Sequence, residues 1–315
     1  MLLPSEVRNR PSHENQLLAA IAPFRRESHS RSWLLVLLHP LAVATSSWQD
    51  VTPYPFIVGE FGTIMMTKQA IVLAAGKGTR MQSDLPKVLF EACGRPMITY
   101  VIDVLERAGI ERIVVVVGYK AELVREALAG RSSVTFAEQT EQLGTGHAVM
   151  MCRAAIQGHT GPILIVTGDS PLIQQSSVEK LLADFSASQP ACLLGTLHKA
   201  DPTGLGRIVR DGSGAFEGIV EEKDATSEQR AITEVNMSTY VFEAAELLGA
   251  LDQLTDENRQ REYYITDCPG ILKREGKQVR ALAVLQPCES LSVNTLEDLK
   301  IVEEEMRKLG YKCAN

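Results

Sequence analysis

No pair of cysteines in this chain has the Cys-x-x-Cys spacing of a zinc ligand set or a redox motif. The six that occur, Cys93, Cys152, Cys192, Cys268, Cys288 and Cys313, are scattered; this argues against a zinc site and a disulfide framework and reads as reduced thiols in a cytoplasmic protein. Excess basic charge is also missing. The formal net charge is -7 and the sequence pI about 5.5, so no global positive field draws in a nucleic-acid backbone or an anionic membrane. An anionic small substrate therefore needs cations placed locally. No apolar run reaches the length of a bilayer-spanning helix, and no internal repeat marks a solenoid. What remains is 45% apolar and 23% charged residues over 315 positions, enough for a substantial core in one large domain or two small ones.

The first 64 residues differ from the rest. They hold both tryptophans, Trp33 and Trp48, and five Arg with no Lys, the Arg balanced by Glu6, Glu14, Glu27, Asp50 and Glu60. The whole acidic excess thus lies beyond them. Their apolar run, 33–38 and again to residue 44 after His39-Pro40, imitates a secretory signal, with Arg25, Arg26 and Arg31 before it and Ala42-Val43-Ala44 at its end, although its leader is long. Signal, flexible extension and an upstream reading of the start codon compete. Met65-Met66-Thr67-Lys68, just before the first strong strand, favours the latter two, and the globular domain is expected over 65–315.

From Gln69 onward strands alternate with helical segments, the pattern of a layered α/β domain around a mostly parallel sheet. Strands are predicted over 70–75, 112–117, 134–137 and 163–167. Ile98, Val101, Ile102 and Leu105 recur at helical spacing in a segment that stops at Gly109, and further helices are predicted over 146–156 and 177–185. Short strands over 191–197, 207–210 and 216–220, separated by Gly and Asp turns, suggest an antiparallel addition beside the parallel sheet. A last helix over 296–309 carries Leu299, Ile301, Val302 and Met306, with acid early and Lys late.

The strongest motif follows the first strand. Gly76-Lys77-Gly78-Thr79-Arg80-Met81, with Pro86-Lys87 close behind, lets the backbone approach a ligand and its amides cradle phosphate oxygens, while Thr79, Arg80 and Lys87 add a hydroxyl and two cations. A dinucleotide fingerprint would place a third glycine at Met81, and a P-loop would separate its glycines by four residues before Lys and Ser or Thr. Neither fits. The bland alternative is a tight turn with two surface cations.

This string, with Pro86-Lys87-Val88-Leu89 after it, resembles the signature of the sugar-1-phosphate nucleotidyltransferases. The likeness runs from about residue 69 to 305 and is greatest to the bacterial N-acetylglucosamine-1-phosphate uridylyltransferases. It implies a Rossmann-like, GT-A-like layered domain with a mixed, mostly parallel sheet, its nucleotide-binding half at 69–190 and a smaller antiparallel sugar-binding region at 191–295. In the implied site the backbone of Leu73, Ala74, Ala75 and Gly76 faces the base, and Arg80 and Lys87 meet the phosphates. Gln139, with the backbone of Gly144 and Thr145, reads the uracil edge, a task suited to an amide that both donates and accepts. Asp169 and the distant Asn294 hold magnesium, a hard cation that takes oxygen ligands and shares them with substrate phosphates. Gly206, Glu221, Asn236, Tyr264 and Thr266 surround an acetamido sugar, and Lys223 adds charge for phosphate. Singly each has a plainer alternative: a cap for His147, a turn for Asp169, a solvated charged turn for Glu221 to Asp224. Their order along the chain is what argues for the site.

Two positions depart from the family pattern. Met237-Ser238 stands where the family continues Thr-Gly after the asparagine, and Ser292 replaces a glycine before Val293-Asn294. No hexapeptide-repeat segment is present, so acetyl transfer is not expected. The reaction implied joins UTP and N-acetylglucosamine 1-phosphate with loss of pyrophosphate in a cytoplasmic enzyme. Glucose or mannose 1-phosphate, or another nucleoside triphosphate, is the alternative within the class; a non-catalytic sugar-nucleotide sensor is the alternative outside it.

Overall fold

Ile71 to Leu73, Ile113 to Val117 and Ile163 to Val166 are unbroken apolar runs, and short runs of this kind joined by helical crossovers pair as parallel strands covered on both faces. The computed structural model describes residues 67–81 and 83–313; the 33–44 apolar run, both tryptophans and Met65-Met66 lie outside the described residues. The chain opens with β1 (Gln69–Leu73), passes a small hairpin of β2 (Glu91–Ala92) and β3 (Arg95–Pro96), and continues through α1 (Met97–Arg107), β4 (Arg112–Val117), α2 (Ala121–Ala127) and β5 (Val134–Glu138). Two short helices, α3 (Thr145–Met150) and α4 (Arg153–Ile156), lead to β6 (Pro162–Thr167) and α5 (Gln175–Ser188). Then come β7 (Cys192–His198), the β8 (Gly206–Arg210) and β9 (Phe216–Val220) hairpin, α6 (Ser227–Arg230), β10 (Glu234–Glu243), α7 (Ala244–Leu251), α8 (Cys268–Arg274), β11 (Val279–Ala283) and α9 (Leu296–Lys308).

The main sheet has the order β11-β7-β10-β6-β1-β4-β5. Gln69 pairs with Arg112 on one side and Ile163 on the other, both in parallel register. Along this path only β10 is reversed, being antiparallel to β6 and β7 while β11 is parallel to β7. The expectation that 191–197 belongs to an antiparallel addition is corrected: β7 is buried along Cys192 to Leu197 and therefore sits inside the main sheet, not beside it. Only β8 and β9 branch off, through Val235↔Arg207 and Asn236↔Gly206.

Alternation along the strands divides the core. Ala70, Val72, Ile113, Val115 and Val117 pack on one face against Ile98, Val101, Ile102 and Leu105 of α1 and Leu181, Leu182 and Phe185 of α5. Ile71, Val114, Val116, Ile163 and Ile165 pack on the other against Val149 of α3, Leu247 and Leu251 of α7 and Leu272 of α8. Met81, Ala92, Met97, Leu172 and Val293 form a third cluster with Val302 and Met306 of α9. There Cys93 and Cys313 form a disulfide, which corrects the reading of all six cysteines as reduced. Their separation of 220 residues puts the pair beyond any local spacing rule; docking of α9 brings them together. Cys152, Cys192 and Cys268 are free and buried, and burial pushes the Cys152 thiol up to about 12. Among the described residues no helix is long and apolar enough to cross a membrane.

Candidate active site

Parallel strands bring their carboxyl ends to one edge of a sheet, where α/β ligand sites gather. The chain exits of β1, β4 and β6 are stitched together at that edge: Ala74 N donates to Val116 O at 2.9 Å, Gly168 N to Leu73 O at 2.9 Å and Tyr119 N to Ala75 O at 3.2 Å. A cleft of about 520 Å³ opens there, lined by Leu73, Ala75, Gly76, Arg80, Lys87, Gln139, Gly144, Thr145 and Asp169, all anticipated from the sequence. Ala74 instead turns its side chain into the core.

Four of the anticipated polar residues meet. Lys87 Nζ donates to Asp169 Oδ2 at 2.5 Å and to Asn294 Oδ1 at 2.9 Å, and the Arg80 guanidinium donates to the same Asn294 oxygen at 2.9 Å. These come from two segments after β1, the turn after β6 and the short segment ahead of α9. Asn294 is fixed by the helix that follows it: its N–H and that of Thr295 each reach Asp298 Oδ2 at 2.9 Å, while Thr295 caps α9. The loop glycines differ in kind. Gly78 has φ +66°, and a Cβ there would lie 2.7 Å from Lys87 Cβ, so its missing side chain seats the lysine. Gly76 has neither a positive φ nor any atom within 4 Å of a would-be Cβ.

Gln139 is 4% exposed. Its Nε2 donates to Gly144 O at 3.0 Å and stands 3.1 Å from His147 Nδ1; the carbonyl can only accept, so it is the NH2 end that faces the loop, and Oε1 is left as an acceptor. Gly144, at φ +105°, leaves no room for a Cβ, which would fall 2.5 Å from Tyr263 O. Gly146 N donates to Tyr263 O at 2.7 Å, Tyr263 N to Leu143 O at 2.8 Å and Ile265 N to Thr145 Oγ1 at 3.1 Å. These bonds tie the 142–148 loop to the segment that forms a second cavity.

That cavity, of about 280 Å³, is lined by Glu221, Lys223, Tyr264 and Thr266 together with Ser238 and Arg259, and it shares Thr145 with the larger cleft. Gly206 and Asn236, also anticipated, are paired neighbours on β8 and β10 and do not line it. Asn236 is 6% exposed, with Nδ2 donating to Tyr240 Oη at 2.8 Å and Oδ1 accepting from Ser238 N at 3.3 Å. Burial raises the Glu221 carboxyl above its ordinary range, opposed by a hydrogen bond from Thr266 and reinforced by Asp267 and Asp224. One wall is clamped by Arg207, 1% exposed, which donates to Glu222 Oε2 at 2.6 Å and to Leu205 O.

Sequence reading includes Gln142 and Glu262 in its motifs without a role for either, and misses Asn258, Arg259 and Gln260. Gln142 Nε2 donates to Ala75 O at 2.8 Å, the same carbonyl that accepts from Tyr119 N, and so ties the 142–148 loop to the chain leaving β1. The other four belong to a run, 256–262, so rich in charge and amide that it reads as a solvated loop; only the long-range pairing of Tyr263 with Leu143 carries it to the site.

Residues 70–266 match the MobA-like NTP transferase domain. The "Bifunctional protein GlmU" of Pelotomaculum thermopropionicum is 43% identical over 243 residues, covering 77% of this chain and 53% of that protein. That of Limosilactobacillus fermentum is 44% identical over 244 residues, covering 78% and 53%. The chain thus spans about half the length of the curated relatives it matches. A solved UDP-glucose pyrophosphorylase complexed with UDP-glucose aligns with TM-score 0.64 at 17% identity, over 78% of this chain and 100% of that one, a likeness of fold. The matched span, the glycine loop after β1 and the mostly parallel sheet agree, and the chain belongs to the MobA-like NTP transferase domain family.

Proposed function

We propose that this protein transfers a uridylyl group from UTP to N-acetylglucosamine 1-phosphate, giving UDP-N-acetylglucosamine and pyrophosphate. The observation that carries this reading is the convergence of Lys87 and Arg80 on Asp169 and Asn294 beside a glycine loop. Such a group handles phosphate charge, and its carboxylate is taken up by the Lys87 ammonium rather than free to act as a base. None is needed, because the attacking phosphate oxygen is already an anion; alignment and charge neutralisation suffice.

Uracil is favoured by the acceptor left on Gln139, since uracil presents an N–H at N3 where cytosine presents a lone pair. The backbone of 73–76 and the 144–145 amides frame the base, Arg80 and Lys87 steady the departing pyrophosphate, and Thr145, common to both cavities, stands between nucleotide and sugar phosphate. Glu221, Tyr264 and Thr266 read the acetamido sugar, Lys223 adds a cation, and Gly206 and Asn236 support them from behind.

The family is generally divalent-metal dependent, and we assign magnesium. Asp169 Oδ2 and Asn294 Oδ1 both point at one cation, the Lys87 ammonium, and an oxygen-only pair suits a hard ion whose remaining ligands are water and phosphate. When bound, magnesium supplies further neutralisation of the triphosphate. Among the described residues no cluster of three or more His, Cys, Asp or Glu competes as a metal site.

Pyrophosphate release across a grid of nucleoside triphosphates and sugar 1-phosphates tests the reading. UTP with N-acetylglucosamine 1-phosphate and magnesium should give the highest rate, chelator should abolish it, and Arg80→Ala or Lys87→Ala should each cost about a hundredfold in turnover with the fold intact. No release for any pair would sink the enzyme reading.

A further inference from the structure

The turn 258–262, whose Asn258, Arg259 and Gln260 line the smaller cavity, holds polar groups that no motif accounts for. It is built on Asn258, whose Nδ2 donates to Glu262 O at 2.5 Å and whose Oδ1 accepts from Gln260 N at 3.1 Å and Glu262 N at 3.3 Å. The turn presents the Gln260 side chain between two cavity residues. Lys223 Nζ donates to Gln260 Oε1 at 2.9 Å, and Gln260 Nε2 donates to Tyr264 Oη at 2.6 Å.

The polarity of this chain is set by chemistry. An ammonium has donors only, so it must meet the amide oxygen; the amide nitrogen is then forced to face Tyr264, and it has no lone pair to receive the phenol's proton. Tyr264 therefore accepts from Gln260 and must direct its own O–H elsewhere. Tyr264 lines the cavity, while Glu221 on the same wall is engaged with Thr266. Burial, then the nearby Glu262 and Glu221, raise the Tyr264 phenol above its ordinary range, so the proton is retained at neutral pH.

We infer that Gln260 is a positioning residue that fixes Tyr264 as a hydrogen-bond donor into the sugar cavity, and that this direction is what admits a sugar bearing an acceptor-only group, the acetamido carbonyl, which the reverse direction would repel while still accepting a hydroxyl. A carbonyl oxygen can only accept, so it is favoured by a donor and repelled by a lone pair, whereas a hydroxyl adapts to either. The inference rests on the acetamido-sugar reading above and assigns the origin of its selectivity.

Two variants separate this from a merely structural role. Gln260→Leu leaves Tyr264 without a fixed direction. Gln260→Glu is nearly isosteric and keeps an acceptor for Lys223, but its carboxylate can only accept, so Tyr264 must donate to it and turn lone pairs into the cavity. Calorimetric Kd values for UDP-N-acetylglucosamine, UDP-glucose and UTP are measured with the full chain and both variants. Wild type should prefer the acetamido sugar; in each variant the preference should fall by about fivefold to tenfold, the scale of one hydrogen bond, with Gln260→Glu hit at least as hard and UTP affinity unchanged. Retention of the wild-type preference by Gln260→Glu, or a parallel loss of UTP affinity, would overturn the inference. Wild type that releases pyrophosphate yet binds both sugar nucleotides equally would overturn the Tyr264 selectivity alone; wild type that binds neither would overturn the functional reading with it.

Discussion

Gly76 offers a test of whether the glycine loop is shaped by the fold or by a ligand. A glycine is required structurally when its φ is positive or when a Cβ would collide, and neither holds at Gly76. Gly76→Ala should therefore be tolerated by the folded state and, by narrowing the unfolded ensemble, should stabilise the protein by about 0.4–1 kcal/mol. Gly76 does line the cleft, and if nucleotide packs against its backbone the methyl group must push it away. A displacement on the order of 1 Å costs up to about a hundredfold, or about 2.7 kcal/mol of transition-state stabilisation. Gly78→Ala is the counterpart: left-handed backbone and a Cβ 2.7 Å from Lys87 Cβ predict a loss of about 1–2 kcal/mol in stability together with lower turnover, because the lysine itself moves. Denaturant unfolding gives the stabilities, and initial rates of pyrophosphate release at subsaturating UTP give kcat/KM. If Gly76→Ala kept wild-type kcat/KM, the loop would not approach the nucleotide at that residue and the argument would be refuted.

Ser238, at φ +52°, carries strain that Ser238→Gly should relieve, raising stability by about 0.5–1 kcal/mol; a lower thermal midpoint would show instead that its hydrogen bond with Tyr240 outweighs the backbone. Glu221 has a folded pKa raised above 4.5 by burial, so the folded state holds its proton more tightly than the unfolded chain, and stability falls as pH rises from that ordinary value through the folded one. Glu221→Gln should consequently be more stable than wild type at neutral pH, with the gain vanishing below pH 4.5, while sugar binding weakens; unfolding curves at both pH values check this. The Cys93–Cys313 disulfide closes a loop of 220 residues, and opening it should cost about 2–4 kcal/mol. Denaturation with and without reductant measures the loss, and a non-reducing peptide map lacking that cross-link would refute the pairing.

The central strands are legible because each is one apolar run: the strand over 112–117 has its expected bounds, and β1 and β6 differ from theirs by only a residue or two. β10 was not seen. Its register shifts between Asn236 and Thr239, so Asn236-Met237-Ser238-Thr239 interrupts the apolar pattern in the middle of a ten-residue strand and reads as a loop. Within the same bulge Ser238 lines the cavity, whereas Asn236, recognisable as a site motif, is buried and does not. The predicted helix over 146–156 is two helices with a turn at 151–152, and no glycine or proline marks the break. Of the site, the glycine loop, Gln139 and Asp169 were legible because each follows a strand end. Gln260 was not, since its importance lies in the polarity of its neighbours, which no spacing encodes.

Asn294, two residues before α9, completes the cation cluster, yet this helix buries only Val302 and Met306 fully, against the many apolar residues fixing α1 and α5. Elements with little buried surface open sub-globally while the rest of a protein stays folded. Once the Cys93–Cys313 disulfide is reduced, occupancy of the working arrangement is set by how often this helix, with its small buried surface, is docked, a quantity smaller than the stability of the sheet. Under mild denaturant, catalysis should fade before the secondary structure does, and amide exchange in α9 should track the fading.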